Sequence, residues 1–176
     1  MKPYAGFWQR AKAFAFDYMC IVLYLVFIIG LLAFINSSTN IAQRFFADRV
    51  LAQASAFLLV TFPITMYFAI GESSAKQATW GKRRMGLKVV GRDGNRIGFW
   101  RAFARTLLKF IPWELSHTLI WEINFSTGSF STYINYGFAL VYVLIGLNIA
   151  SLVTTKTKQT LYDFLAGTFV VGQQYP

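Results

Sequence analysis

Three long apolar blocks, set apart by short polar stretches, dominate the pattern along this chain. Residues 13–35 are twenty-three positions with one charge, Asp17; residues 50–71 are twenty-two positions with none; residues 133–153 are twenty-one with none. The hydrocarbon core of a bilayer takes about 20 predominantly apolar residues of helix, so each block predicts a membrane span. The first block is longer than the apolar region of a cleaved signal peptide and has no small-x-small site close behind it. It is therefore expected to remain as a span.

The polar stretches set the orientation. Lys2, Arg10 and Lys12 precede the first block, ten basic residues lie between Lys76 and Lys109, and Lys156 and Lys158 follow the last block. An N-terminus on the inner side puts fifteen of the seventeen basic residues there, the bias that cytoplasmic loops show. Three crossings would leave Lys156 and Lys158 outside, so a fourth is expected over residues 106–123. It lies within residues 101–123, "RAFARTLLKFIPWELSHTLIWEI", which start with Arg101, Arg105 and Lys109 at every fourth position, one stripe on a helix. The stripe predicts an interfacial amphipathic start whose basic side chains reach anionic lipid headgroups. Pro112 predicts a kink, followed by a tilted passage outward.

Periodicity changes over residues 85–99. Met85 to Val90 reads as a strand, Asp93-Gly94 is a hairpin turn signal, and Arg96 to Phe99 would return. A small cytoplasmic β-hairpin is expected there. The Ser/Thr/Gly-rich "NFSTGSFST" reads as an outer loop. Residues 159–172 are apolar around Asp163 but too short to span. They are expected to pack, as a short helix or an extended segment, beneath the inner ends of the bundle. The predicted fold is thus a single all-α membrane domain, a four-helix transmembrane bundle with both termini cytoplasmic, the hairpin and the interfacial helix.

Composition agrees and narrows the function. The chain is 56% hydrophobic and 14% charged, against about a quarter charged for soluble domains. Its net charge of +10 raises nucleic acid as a partner, but the positive charge sits beside apolar spans and no nucleic-acid-binding fold is recognisable. One cysteine, Cys20, leaves no intramolecular disulfide and no cysteine-based metal cluster. No GxSxG, HExxH, P-loop or dinucleotide fingerprint is found, so neither an enzyme nor a cofactor is expected.

The blocks "AGFWQRAKAFAFD", "TWGKRRMGLKVVGRDGNRIGFWRAFAR" and "KQTLYDFLAGTFVV", in that order, resemble the RDD family of small, mostly bacterial membrane proteins, named for one arginine and two aspartates. The residues that match are Arg10, Asp17 and Asp163. The resemblance implies an inner-membrane protein, and a link of some members to sodium/proton exchange implies transport.

Two constellations carry candidate chemistry. Arg10 and Asp17 lie two turns apart, about 10 Å along a helix; an Asp within a span costs roughly 2.5–3.5 kcal/mol unless protonated, paired or wet. Arg10, Asp17 and Asp163 are candidates for a structural clamp joining the two chain ends. Glu114 and His117 share a helical face at membrane depth. Glu-x-x-His is also a spacing used by metal sites in bundles, but one histidine and no third ligand nearby make metal binding a weak alternative. Thr61, Thr65, Asn148 and Ser151 are helix–helix hydrogen-bonding candidates, and Glu122 reads as solvated. The leading expectation is a small, homo-oligomeric ion- or proton-coupled transporter for a monovalent cation or proton, with Asp17, Glu114 and His117 as coupling residues. The alternatives are a non-catalytic membrane subunit or adaptor built on the clamp, and a metal-binding membrane protein using Glu114 and His117.

Overall fold

The computed structural model describes residues 4–126 and 132–172, except for the side chains of residues 41 and 42. Lys2 and most of the expected outer loop "NFSTGSFST" lie outside the described residues.

Helix α1 spans Phe7–Thr39. Its first turn opens where the Gly6 N–H donates to Gln9 Oε1 (3.1 Å), and it ends at Asn40, which takes a left-handed φ of 52°. At about 1.5 Å per residue it is roughly 50 Å long, more than the hydrocarbon core is thick. Short α2 (Ile41–Phe45) leads to α3 (Arg49–Ala56), whose Leu51 N–H is capped by Asp48 Oδ1 at 3.0 Å. A π-helical stretch, Phe57–Thr61, joins α3 to α4 (Phe62–Ser73) without a break. Pro63 explains where the ladder is disturbed. It has no N–H to give the Leu59 carbonyl, and that carbonyl instead accepts the Tyr24 hydroxyl of α1 at 2.6 Å. A local backbone defect thereby becomes a contact between two spans.

Three helical segments are long and apolar enough to cross a membrane: Phe7–Thr39, Arg49–Ser73 and Thr132–Thr154, with mean hydropathies of 2.8, 1.7 and 2.0. Only Ala13 and Asp17 of α1 are buried, while Leu23 and Phe34 are 70% and 77% exposed. A monomer that leaves so much contiguous apolar surface uncovered is built for lipid. The chain is a largely helical, multi-span membrane protein, and the expected spans 13–35, 50–71 and 133–153 each fall within one of these segments.

The fourth expected span lies within α6, Phe99–Phe125, one continuous helix through Pro112. The separate interfacial helix does not form. Arg105 corrects the expected headgroup stripe, turning inward into a buried carboxylate cluster, while Lys109 lies over aromatic rings. A four-residue repeat defines a helix face and not the direction in which it looks, so lipid and interior were equally compatible with it. Arg101 is exposed, and its Nε donates to the Ala166 carbonyl at 2.9 Å, near the C-terminus.

The expected strand forms as β1, Leu87–Gly91, but its partner is not residues 96–99. It pairs antiparallel with β2, Thr168–Gly172, in the register Leu87↔Gly172 to Gly91↔Thr168. The Asp93-Gly94 turn is made, with Gly94 at φ 76° and the Gly91 N–H donating to the Asn95 carbonyl at 2.9 Å. There is no room for a returning strand, because Gly98 is already the N-cap of α6. The expected C-terminal element is both helix and strand: α8 (Leu161–Ala166), then β2. Before α1, Tyr4 bridges Val171 and the Ala5 N–H donates to the Val170 carbonyl at 2.9 Å, so the two ends of the described chain meet at one sheet. Beneath it Ala5, Ala13, Leu87, Val89, Ile97, Ala102 and Val170 form a small core.

The Tyr24–Leu59 bond is open to direct test. Tyr24→Phe should lower stability by about 1 kcal/mol, read as a lower thermal unfolding midpoint in detergent; an unchanged midpoint would show that the carbonyl needs no partner.

Candidate functional site

At the sheet end of the bundle, α4, α6 and α8 bring a charged cluster together in a buried place. Arg105 of α6 is 2% exposed. A guanidinium cannot shed its proton there and has five N–H donors to satisfy. Its Nη1 donates to Glu72 Oε2 at 2.6 Å, near the end of α4. Its Nη2 and Nε donate to Asp163 Oδ1 of α8 at 2.6 and 2.9 Å, and Nε also reaches Thr168 Oγ1 of β2 at 3.1 Å. The Tyr162 ring lies 5.1 Å from the guanidinium carbon. Lys82 of α5 (Trp80–Arg84) completes Glu72, with Nζ 2.9 Å from Oε1.

Asp163 is fully buried and shared. Arg10 of α1 donates from Nη1 to its Oδ2 at 2.5 Å and from Nη2 to the Lys158 carbonyl at 2.5 Å. The same carboxylate closes a capping box, accepting from the Thr160 N–H at 3.3 Å while Thr160 Oγ1 accepts from the Asp163 N–H at 3.3 Å. Burial pushes the Asp163 carboxyl up, but Arg105 and Arg10 more than offset it and hold it well below the usual carboxylate range.

Asp17 does not join this cluster. It is 1% exposed and receives three donors: Tyr67 Oη to Oδ1 at 2.7 Å, Thr79 Oγ1 to Oδ2 at 2.6 Å, and the Gly81 N–H to Oδ1 at 2.7 Å. Thr79 is the N-cap of α5, and its Oγ1 accepts from the Lys82 N–H at 3.4 Å. Asp17 is thus the seat on which α1 holds the start of α5. Gly81 is required by that seat, since a Cβ there would lie 2.1 Å from the Ala13 carbonyl oxygen. The expected clamp of Arg10, Asp17 and Asp163 resolves into two anchors, Arg10–Asp163 and Asp17–α5.

Glu114 and His117 lie further along α6. Glu114 Oε1 accepts from Thr61 Oγ1 of the π-helical stretch. His117 Nδ1 is 3.7 Å from the same oxygen, and its ring meets Trp113 edge-on at 4.6 Å. Thr118 Oγ1, one residue on, accepts from Gln53 Nε2 of α3 at 2.8 Å. These contacts tie the middle of α6 to the second span. Asp17 takes all its bonds elsewhere, with Tyr67, Thr79 and Gly81, so Glu114 and His117 meet each other and not Asp17. Among the described residues no three His, Cys, Asp or Glu side chains come together to hold a metal ion. Glu122, expected to be solvated, pairs with Arg49.

Sequence reading did not single out Glu72, Thr79, Tyr67 or Lys82. Glu72 carried a usable signal, as the first carboxylate after an uncharged apolar block and beside the basic run.

The pattern of the RDD family matches residues 4–167, and the chain belongs to that family. No curated relative and no solved structure matches it significantly.

The Asp17 seat predicts that Gly81→Ala destabilises the protein by at least about 1–3 kcal/mol, the cost of overpacking a filled site. Asp17→Asn, which keeps the volume, should cost less. Unfolding in detergent measures both, and a Gly81→Ala midpoint equal to wild type would show that α5 is not held in this way.

Proposed function

We propose that this RDD family member is a non-catalytic membrane subunit or adaptor, in which a buried charge clamp fixes a cytoplasmic platform beneath a four-crossing bundle. The observation that carries the reading is Arg105 bonded at once to Glu72 and Asp163, with Arg10 on the other side of Asp163 and Lys82 on Glu72. Every charge in that set has a fixed partner. A transport site needs groups free to exchange partners, and here the ionised groups serve to join α1, α4, α5, α6 and α8.

The chain ends support a count of four crossings. Ala5 hydrogen-bonds Val170 and Arg10 pairs with Asp163, so both ends lie on the same side. An odd number of crossings would part them. Three helices qualify by hydropathy, and α6, about 40 Å long at 1.5 Å per residue, supplies the fourth. Charge then orients the bundle, because the sheet end carries the basic excess that cytoplasmic loops show. The exposed Arg83, Arg84, Arg92 and Arg96 surround the platform and suit a partner with an acidic surface.

Ion-coupled transport through Asp17, Glu114 and His117 has less support, since Asp17 is committed to α5 and Glu114 to Thr61. Affinity purification of the full chain in a mild detergent is the direct test. A stoichiometric second protein, lost when Arg83, Arg84, Arg92 and Arg96 are all changed to Gln, is expected. A clean homo-oligomer that drives sodium-dependent proton flux in proteoliposomes would replace the adaptor reading with transport.

The clamp has its own signatures. Arg105→Met alone should cost about 3–5 kcal/mol, because two buried carboxylates each lose a charge-assisted bond, on Glu72 Oε2 and Asp163 Oδ1, while Lys82 and Arg10 stay on their other oxygens. Adding Glu72→Gln and Asp163→Asn should lower the unfolding midpoint further, because it leaves Arg10 and Lys82 without their carboxylates; a recovered midpoint would show that Arg105 alone holds the cluster. Asp163 also sets a pH dependence. Its pKa is lowered on folding, so its stabilisation is complete above the ordinary carboxylate value of about 4 and is lost as pH falls below it. Asp163→Asn should flatten the acid limb of a midpoint-against-pH curve.

A further inference from the structure

A cavity of about 510 Å³ opens between α1, α6 and α7 beside the charge clamp. Its wall is mostly apolar, with Phe14 of α1, Phe110 and Trp113 of α6, and Ile145 and Ile149 of α7 (Thr132–Thr154). Lys109 projects into it from α6. The Lys109 ammonium lies 3.4 Å from the centre of the Phe68 ring and 5.3 Å from those of Phe14 and Phe110.

The charge balance at this end does not close. Arg10, Lys82, Arg105 and Lys109 face the carboxylates Asp17, Glu72 and Asp163, four cations against three anions. Three of the cations have carboxylate partners. Among the described residues Lys109 has none within ion-pair distance, and Asp17 is satisfied by neutral donors. Ring faces attract an ammonium but do not cancel its charge. On the same wall, Asn148 Oδ1 is buried and takes no hydrogen bond among the described residues, while its Nδ2 is spent on the Leu144 carbonyl at 2.8 Å; that oxygen calls for a donor, which a headgroup hydroxyl can supply and the phosphate itself cannot. The place lacks an anion and has apolar room beside it.

We infer that this cavity binds one anionic membrane phospholipid, its phosphate at Lys109 and an acyl chain along the wall of Phe110, Trp113, Ile145 and Ile149. The inference is independent of the adaptor reading, because it needs only the cavity and the uncompensated ammonium. A phosphate supplies the missing charge, and the acyl chain covers apolar surface that water would otherwise meet.

Native mass spectrometry of the full chain is the test, after delipidation and exposure to phosphatidylglycerol, phosphatidylcholine or inorganic phosphate. One phosphatidylglycerol per chain is expected, retained more strongly than phosphatidylcholine. Lys109→Met should weaken retention on the order of tenfold, the scale of a lost charge-assisted bond, and Lys109→Arg should restore most of it. Ile149→Trp keeps the ammonium and fills the tail channel; it should also weaken retention, and it serves as the test should Lys109→Met fail to fold. Equal retention of the two lipids would overturn the proposal, as would undiminished phosphatidylglycerol binding in both Lys109→Met and Ile149→Trp. Inorganic phosphate binding as well as the lipid would reduce the site to one for a free anion.

Discussion

The arrangement of the sheet end follows from burying one guanidinium. Arg105 cannot be neutralised, so its five donors must find acceptors wherever the fold puts them. They find Glu72 from one span, Asp163 from the C-terminal helix and Thr168 from the strand that follows. Because the guanidinium is planar, those acceptors must lie in one plane around it, which fixes α4, α8 and β2 against α6 at a single point. Asp163 then has a second oxygen to satisfy, and Arg10 brings α1 to it. Such a network contributes less to net stability than its count of bonds suggests, since desolvation offsets much of the attraction. Its consequence is specificity: any other packing leaves a charge alone.

The carboxylate within the first helix follows the same logic with neutral partners. Asp17 receives a phenol, a threonine hydroxyl and a backbone N–H. Those donors come from α4 and from the start of α5, where unsatisfied N–H groups are available. An acid near the end of a span is therefore tolerable when the loop after the second span folds back to solvate it. The close fit of Gly81 on Ala13 and Asp17 shows how near that loop must come.

The spans were legible because bilayer thickness sets a length that a hydropathy pattern reports directly. The Arg10–Asp163 pair was within reach for a different reason: a short apolar segment carrying one acid has to fold back under the bundle, where an arginine waits at the start of α1. The failures share a cause. The Asp93-Gly94 signal gave the right turn but the wrong strand pair, because turn chemistry is local and β1 pairs across the length of the chain with β2. Arg105 was assigned to a headgroup because its spacing defines a stripe and says nothing of what faces it. Glu114 and His117 looked poised for chemistry because membrane depth makes any ionisable group conspicuous. In the structure Thr61 donates to Glu114 and the Trp113 ring meets His117.

The kind of bond changes with distance from the sheet end, and this has a physical origin. Near the sheet the spans are joined by ion pairs: Arg105 with Glu72 and Asp163, and Lys82 with Glu72. Towards the middle the joints become side-chain hydrogen bonds: Tyr24 to the Leu59 carbonyl, Thr61 to Glu114, and Gln53 to Thr118. At the far end an exposed pair, Arg49 with Glu122, returns. A charge costs most at the bilayer centre and less towards either interface. Strong charge-assisted contacts are therefore tolerated only at the ends, and the buried ones collect where the sheet and α8 shield them from water. The sheet sits where the bundle is most firmly specified, which is the condition for presenting a fixed surface to a partner.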